Sequence, residues 1–108
     1  MTGEEYQNKA KKTAVYPKDV AVYYLTLGLT GEAGEIANKA KKIIRDNNFE
    51  ITEEVKQNLK KEMGDVLWYI AMLCNELNLS MDEVMQYNIE KLASRMERGK
   101  IQGDGDER

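Results

Sequence analysis

The sequence predicts an all-α protein, a small four-helix-type bundle with antiparallel helices. Three observations carry that prediction. The 108 residues include a single proline and few β-branched runs, so little interrupts a helix and little favours a strand. Apolar residues recur at three- and four-residue spacings, the period of one helical face. Helix-starting signals stand before two of these stretches, Thr52 ahead of Glu53 and Glu54, and Ser80 ahead of Glu83.

The elements follow in order. A short first helix is expected over about Gly3 to Lys12. Thr13-Ala14-Val15-Tyr16-Pro17 ends it, because Pro17 pushes Tyr16 into an extended conformation. A long second helix is expected from near Asp19 to Arg45, with Val22, Leu25, Leu29, Ile36, Ala40 and Ile43 on its apolar face. Asp46-Asn47-Asn48 reads as a loop. The third helix starts at the Thr52 cap and reaches about Asn78. It is apolar nearly all round from Val66 onward, which predicts deep burial of its second half. Ser80 and Glu83 form a capping box for a fourth helix through Val84, Tyr87, Ile89, Leu92 and Met96, which Gly99 ends. Residues 1–101 thus form one helical domain, and the apolar-free tail 102–108 is expected to be flexible and acidic. The apolar content is large for four such helices to bury within one subunit, a loosely packed monomer being the ordinary alternative. Self-association across the third helix would cover the surplus, so a homodimer or a dimer of dimers is expected.

Composition removes several function classes. There is no histidine and one cysteine, so imidazole bases, Ser-His-Asp triads, disulfides within the chain and cysteine zinc clusters are excluded. Any metal would be held mainly by oxygen, which favours a hard cation such as Mg²⁺ or Mn²⁺. The net charge of -3, from 16 basic and 19 acidic residues, argues against a polymeric nucleic acid as partner. No apolar run approaches the length of a membrane span, and the opening residues Met1-Thr2-Gly3-Glu4-Glu5 are not those of a signal peptide. A cytoplasmic location is the expectation.

The informative motif is a repeated tetrapeptide, Glu32-Ala33-Gly34-Glu35 and Glu62-Met63-Gly64-Asp65. Acids three residues apart share one helical face. Glycine inside a helix costs about 1 kcal/mol relative to alanine, so Gly34 and Gly64 predict close approach of a helix or a ligand, and Gly28 and Gly31 add to that signal. If the second and third helices pack antiparallel, the four carboxylates face one another. They would repel unless cations neutralise them, and an all-oxygen nest suits Mg²⁺. The ordinary alternative is a pair of solvated faces, with Glu35 paired to Lys39 and Lys61 to Asp65.

A second group is basic. Asn88, Lys91 and Arg95 share a face of the fourth helix and could hold a phosphate tail. Tyr24, Trp68 and Tyr69 lie within two turns of an acidic pair and could stack a base, although core packing competes for at least one of them.

These residues resemble the MazG-like all-α nucleoside triphosphate pyrophosphohydrolases, a family marked by Glu-Glu-x-x-Glu, a gap, then Glu-x-x-Asp. The matching stretches are Gly31-Glu32-Ala33-Gly34-Glu35 and Glu62-Met63-Gly64-Asp65, followed by Val66-Leu67-Trp68-Tyr69-Ile70. The first Glu of the family triplet is Gly31 here. The likeness covers about Ala14 to Lys100. It implies Mg²⁺-dependent hydrolysis of a nucleoside triphosphate between the α- and β-phosphates, in a dimer or a dimer of dimers. Carried onto this chain, it makes Glu32, Glu35, Glu62 and Asp65 the metal ligands, with Glu35 or Glu32 also orienting water. Lys91 and Arg95 become candidates for the leaving pyrophosphate and Lys39 a further one. Asn75 and Asn88 become candidates for sugar or base, with Trp68 and Tyr69 for the base. Two other readings compete, a phosphoribosyl-ATP pyrophosphohydrolase of related fold and a non-catalytic helical dimer that binds a nucleotide or a partner.

Overall fold

The structure, a computed structural model, describes all residues from Met1 to Arg108. It contains four α-helices and no strand: α1 (Gly3–Ala10), α2 (Ala21–Asp46), α3 (Glu53–Glu76) and α4 (Met81–Glu97). Single 3₁₀ turns at Lys11–Thr13 and Lys18–Val20 flank the expected break at Pro17. No helix is long and apolar enough to cross a membrane.

Helices α2 and α3 form an antiparallel hairpin, the main packing contact of the chain. The reversal uses left-handed backbone at Asn48 and Phe49, with φ of 51° and 64°. The Asn47 and Phe49 amides both donate to the Ile43 carbonyl, closing the end of α2. Thr52 caps α3 as expected, its hydroxyl accepting from the Val55 amide at 3.2 Å.

The true capping box lies at α1. Thr2 Oγ1 accepts from the Glu5 amide at 3.1 Å, and Glu5 Oε1 accepts from the Thr2 amide at 3.3 Å. Asp82, from the first turn of α4, adds its carboxylate to the Gly3 and Glu4 amides, a favourable charge for a helix N-terminus. The box expected at Ser80 and Glu83 is not formed. Ser80 Oγ accepts from the Asp82 amide, one position too early for the reciprocal pair.

The core gathers at one end of the hairpin. Leu25 and Met72 are fully covered, with Ala21, Ala71, Cys74, Tyr16 and Met81 around them. Tyr16 closes this end. Its hydroxyl donates to Glu76 at 2.6 Å, Lys18 Nζ lies 3.6 Å over its ring, Tyr24 stacks beside it and Trp68 meets it edge-on. Burial, with the Glu76 carboxylate as second cause, pushes the Tyr16 phenol up to about 12. Gln7 is buried and ties α1 to the start of α4. It donates to Asn75 Oδ1 and the Leu79 carbonyl, and accepts from the Met81 amide at 2.7 Å.

Burial is thinner than the apolar pattern predicts. Leu67 and Leu77 of α3 remain exposed, and so do Val84, Tyr87, Ile89, Leu92 and Met96 along α4. Helix α4 packs on α1 through its first turn and extends away from the hairpin. The radius of gyration is 16.7 Å, against about 13 Å for a compact chain of 100 residues.

Candidate active site

The register of α2 against α3 is set by one close contact. The Tyr69 ring lies flat on α2 at Gly28, where an added Cβ would stand 2.2 Å from Tyr69 Cε1. Glu32 is one turn beyond Gly28, and Asp65 one turn before Tyr69. The contact therefore brings Glu32 of α2 opposite Glu62 and Asp65 of α3. One carboxylate oxygen from each of these three lies within 4.8 Å of the others.

The electrostatics follow from that spacing. Glu32 is raised above the ordinary glutamate value, first by burial, then by the charges of Asp65 and Glu62 and a hydrogen bond shared with Glu62, and last by Glu35. Three carboxylates this close repel one another as anions, so a cation between them would relieve the cluster. The donor set is all oxygen, which fits a hard divalent ion. Lys39 reaches across from α2 to Glu62 at 3.7 Å, so it is not held by Glu35 as the in-helix pairing supposed.

Phenols border the cluster. Tyr69 is raised by burial and by nearby Tyr24, Glu32 and Asp65. Tyr6 of α1 is raised by burial and by Asp65; the sequence offered no signal for its position. A cavity of about 320 Å³ lies toward the loop end of the hairpin, bordered by Lys39, Lys42, Asn47 and Asn58.

The remaining candidates divide. Glu35 is exposed and stands outside the three-oxygen group. Trp68 is a packing residue, its indole N–H donating to Thr13 Oγ1 at 2.8 Å, and Asn75 serves the Gln7 bridge. Asn88 is exposed on α4. Lys91 and Arg95 are paired with Asp106 of the tail, and no hydrogen bond or ion pair joins them to the acid cluster. These pairs place Asp106 of the tail beside α4. Gly34 and Gly64 face open space, so the close approach expected there is made at Gly28 instead.

The family model of the MazG nucleotide pyrophosphohydrolase domain matches residues 22–99, which contain all of the hairpin but its first residue, and α4. The chain belongs to the MazG nucleotide pyrophosphohydrolase family. This MazG-family chain is 50% identical to the gene 37 protein of Mycobacterium phage L5 over 109 residues, covering 95% of this chain and 96% of that one. It is 42% identical to the uncharacterized protein YvdC of Bacillus subtilis (strain 168) over 74 residues, 64% of this chain and 70% of the relative. No solved structure matches it.

Proposed function

We propose that this MazG-family chain hydrolyses a nucleoside triphosphate, ribo- or deoxyribo-, to the monophosphate and pyrophosphate, using Mg²⁺ with Mn²⁺ as a substitute. The observation that carries the reading is the convergence of Glu32, Glu62 and Asp65 within 4.8 Å, on the two tetrapeptides that resemble the family motif. Glu32, Glu62 and Asp65 would hold the divalent ion, which would supply positive charge against the charge that builds in the transition state.

The protein's own groups do the rest. Glu35 lies one turn from Glu32, is exposed and has no ion-pair partner, so it is free to accept a proton from water; Glu32 is the other candidate for that role. Lys39 lies between the acids and the cavity lined by Lys42, Asn47 and Asn58, on the side where a phosphate chain has room. Tyr69 holds the two acid-bearing helices in register.

A second copy of the chain completes this reading. The apolar stripe of α4 is uncovered, and its basic face is not joined to the acids of its own subunit. In a homodimer or a dimer of dimers, α4 buries that stripe on a partner and brings Lys91 and Arg95 toward the phosphates. A cytoplasmic location belongs to the same reading.

The test is a product screen over ribo- and deoxynucleoside triphosphates with Mg²⁺ and Mn²⁺. Monophosphate and pyrophosphate in equal yield, lost in Glu62→Gln, is expected. Full activity in Glu62→Gln, or release of orthophosphate alone, would remove the proposal.

A further inference from the structure

The residues after Gly99 form a built clasp on α4. Gly103 and Gly105 turn the chain through left-handed backbone, with φ of 126° and 85°, conformations that glycine adopts without strain. The Arg108 guanidinium donates to the carbonyls of Lys100, Ile101 and Gly105 at 3.0, 2.9 and 2.7 Å. Arg98 in turn donates to the Arg108 carbonyl.

This fold delivers Asp106 to the basic face. Asp106 Oδ1 accepts from Lys91 Nζ at 2.9 Å and from Arg95 Nη2 at 3.0 Å. One carboxylate oxygen therefore bridges a lysine and an arginine one helical turn apart. The Asp106 carbonyl also accepts from Arg95 Nη2. Both hydrogens of that nitrogen are then engaged, and the Arg95 side chain is 7% exposed. Lys91 keeps 27% of its side-chain surface, and Asp106 itself 73%.

A bridging oxygen between a lysine and an arginine is also how a phosphate oxygen binds. The occupant here is a single carboxylate, open to water. Ion pairs of that exposure are weak, whereas a polyphosphate carries several charges and more acceptor oxygens.

We propose that the C-terminal clasp is an internal anion: Asp106 occupies the cleft between Lys91 and Arg95, and a phosphate group must displace it to bind there. The proposal rests on the reading of Lys91 and Arg95 as phosphate ligands. Its consequence is quantitative. Affinity for a phosphate ligand is reduced by the fraction of molecules in which the clasp is open, so removing the competing charge raises it. Binding in turn frees residues 102–108.

The probe is inorganic pyrophosphate, titrated by calorimetry into the full-length chain in EDTA so that the acid cluster contributes nothing. Asp106→Asn and Asp106→Ala are each expected to bind it about three- to tenfold more tightly than the wild type, the range a weak exposed pair allows. Arg95→Met should abolish the binding. The ¹⁵N amide signals of Gly103 and Gly105 should move to unstructured positions as pyrophosphate saturates the wild type. Equal or weaker affinity in both Asp106 variants, absence of binding throughout, or glycine signals unmoved at saturation would overturn the proposal. Turnover measured on the same proteins separates the two claims. Nucleotide hydrolysis with unchanged pyrophosphate affinity sinks only the clasp. Tightened affinity in a chain that hydrolyses no nucleoside triphosphate sinks only the proposed activity.

Discussion

Glu62→Gln removes one charge from the acid cluster and keeps its shape, so its effect on stability can be worked from distances. Glu62 faces Glu32 and Asp65 at no more than 4.8 Å, and each repulsion at that distance is about 0.9 kcal/mol in a water-like medium. Its one compensating partner, Lys39 at 3.7 Å, returns about 1.1 kcal/mol on the same scale. The amide therefore stabilises the metal-free chain by about 0.6 kcal/mol, and a local dielectric below that of water enlarges the gain. For a chain of this size that is a rise of about 2–5 °C in Tm. Magnesium reverses the order. The wild type gains stability with Mg²⁺ by mass action, and the variant, one ligand charge short, gains much less. The assay is calorimetric melting of both proteins in EDTA and across a Mg²⁺ series. A variant that melts lower than wild type in EDTA, or that keeps the full Mg²⁺-induced shift, would refute the reasoning.

Other outcomes follow from the same coordinates. Gly28→Ala places a Cβ 2.2 Å from the Tyr69 ring and is expected to cost about 1–3 kcal/mol, whereas Gly34→Ala enters open space and should stabilise by about 0.5–1 kcal/mol; urea unfolding of the pair checks both signs. Gln7→Ala leaves the Met81 amide and Asn75 without their partners and should cost about 2–3 kcal/mol in the same assay. The raised Glu32 carboxyl favours its protonated form in the fold, so its contribution to metal-free stability is present below the ordinary glutamate range and is lost as pH rises through the raised value. Ionisation of the same group is needed to hold a cation. Mg²⁺-induced stabilisation should therefore weaken as pH falls and Glu32 takes up its proton, and Glu32→Gln should flatten the pH dependence of Tm in EDTA. Leu92→Glu puts a charge on the uncovered α4 stripe and should shift sedimentation from dimer or tetramer toward monomer.

The fold was legible wherever local chemistry decided it. Thr52 starts α3, the break expected at Pro17 parts α1 from α2, and Leu25, on the expected apolar face of α2, lies at the centre of the core. Side chains that depend on a distant segment were not legible. Gln7 has no apolar signature, and its burial follows from three bonds to the α3–α4 junction. The box at Thr2 and Glu5 was readable from spacing alone, yet the equally spaced Ser80 and Glu83 do not form one. Spacing permits the reciprocal bonds, and the backbone of the junction decides whether they form. At the candidate site, the repeated tetrapeptide named Glu32, Glu62 and Asp65, whose carboxylates the hairpin brings together, and Glu35, which stands outside that group. It overreached at Gly34 and Gly64, since a helical glycine signals close approach without saying which glycine is approached. Residues 102–108 hold no apolar side chain, and their turns rest on two glycines and on the three carbonyls that Arg108 reaches.

The central claim is attack of water at the α-phosphate of a nucleoside triphosphate on the Glu32–Glu62–Asp65 site. Hydrolysis in ¹⁸O-labelled water with Mg²⁺, followed by mass spectrometry of both products, tests it most directly. The account predicts one ¹⁸O in the nucleoside monophosphate and none in the pyrophosphate. Label in the pyrophosphate, or in released orthophosphate, would contradict it.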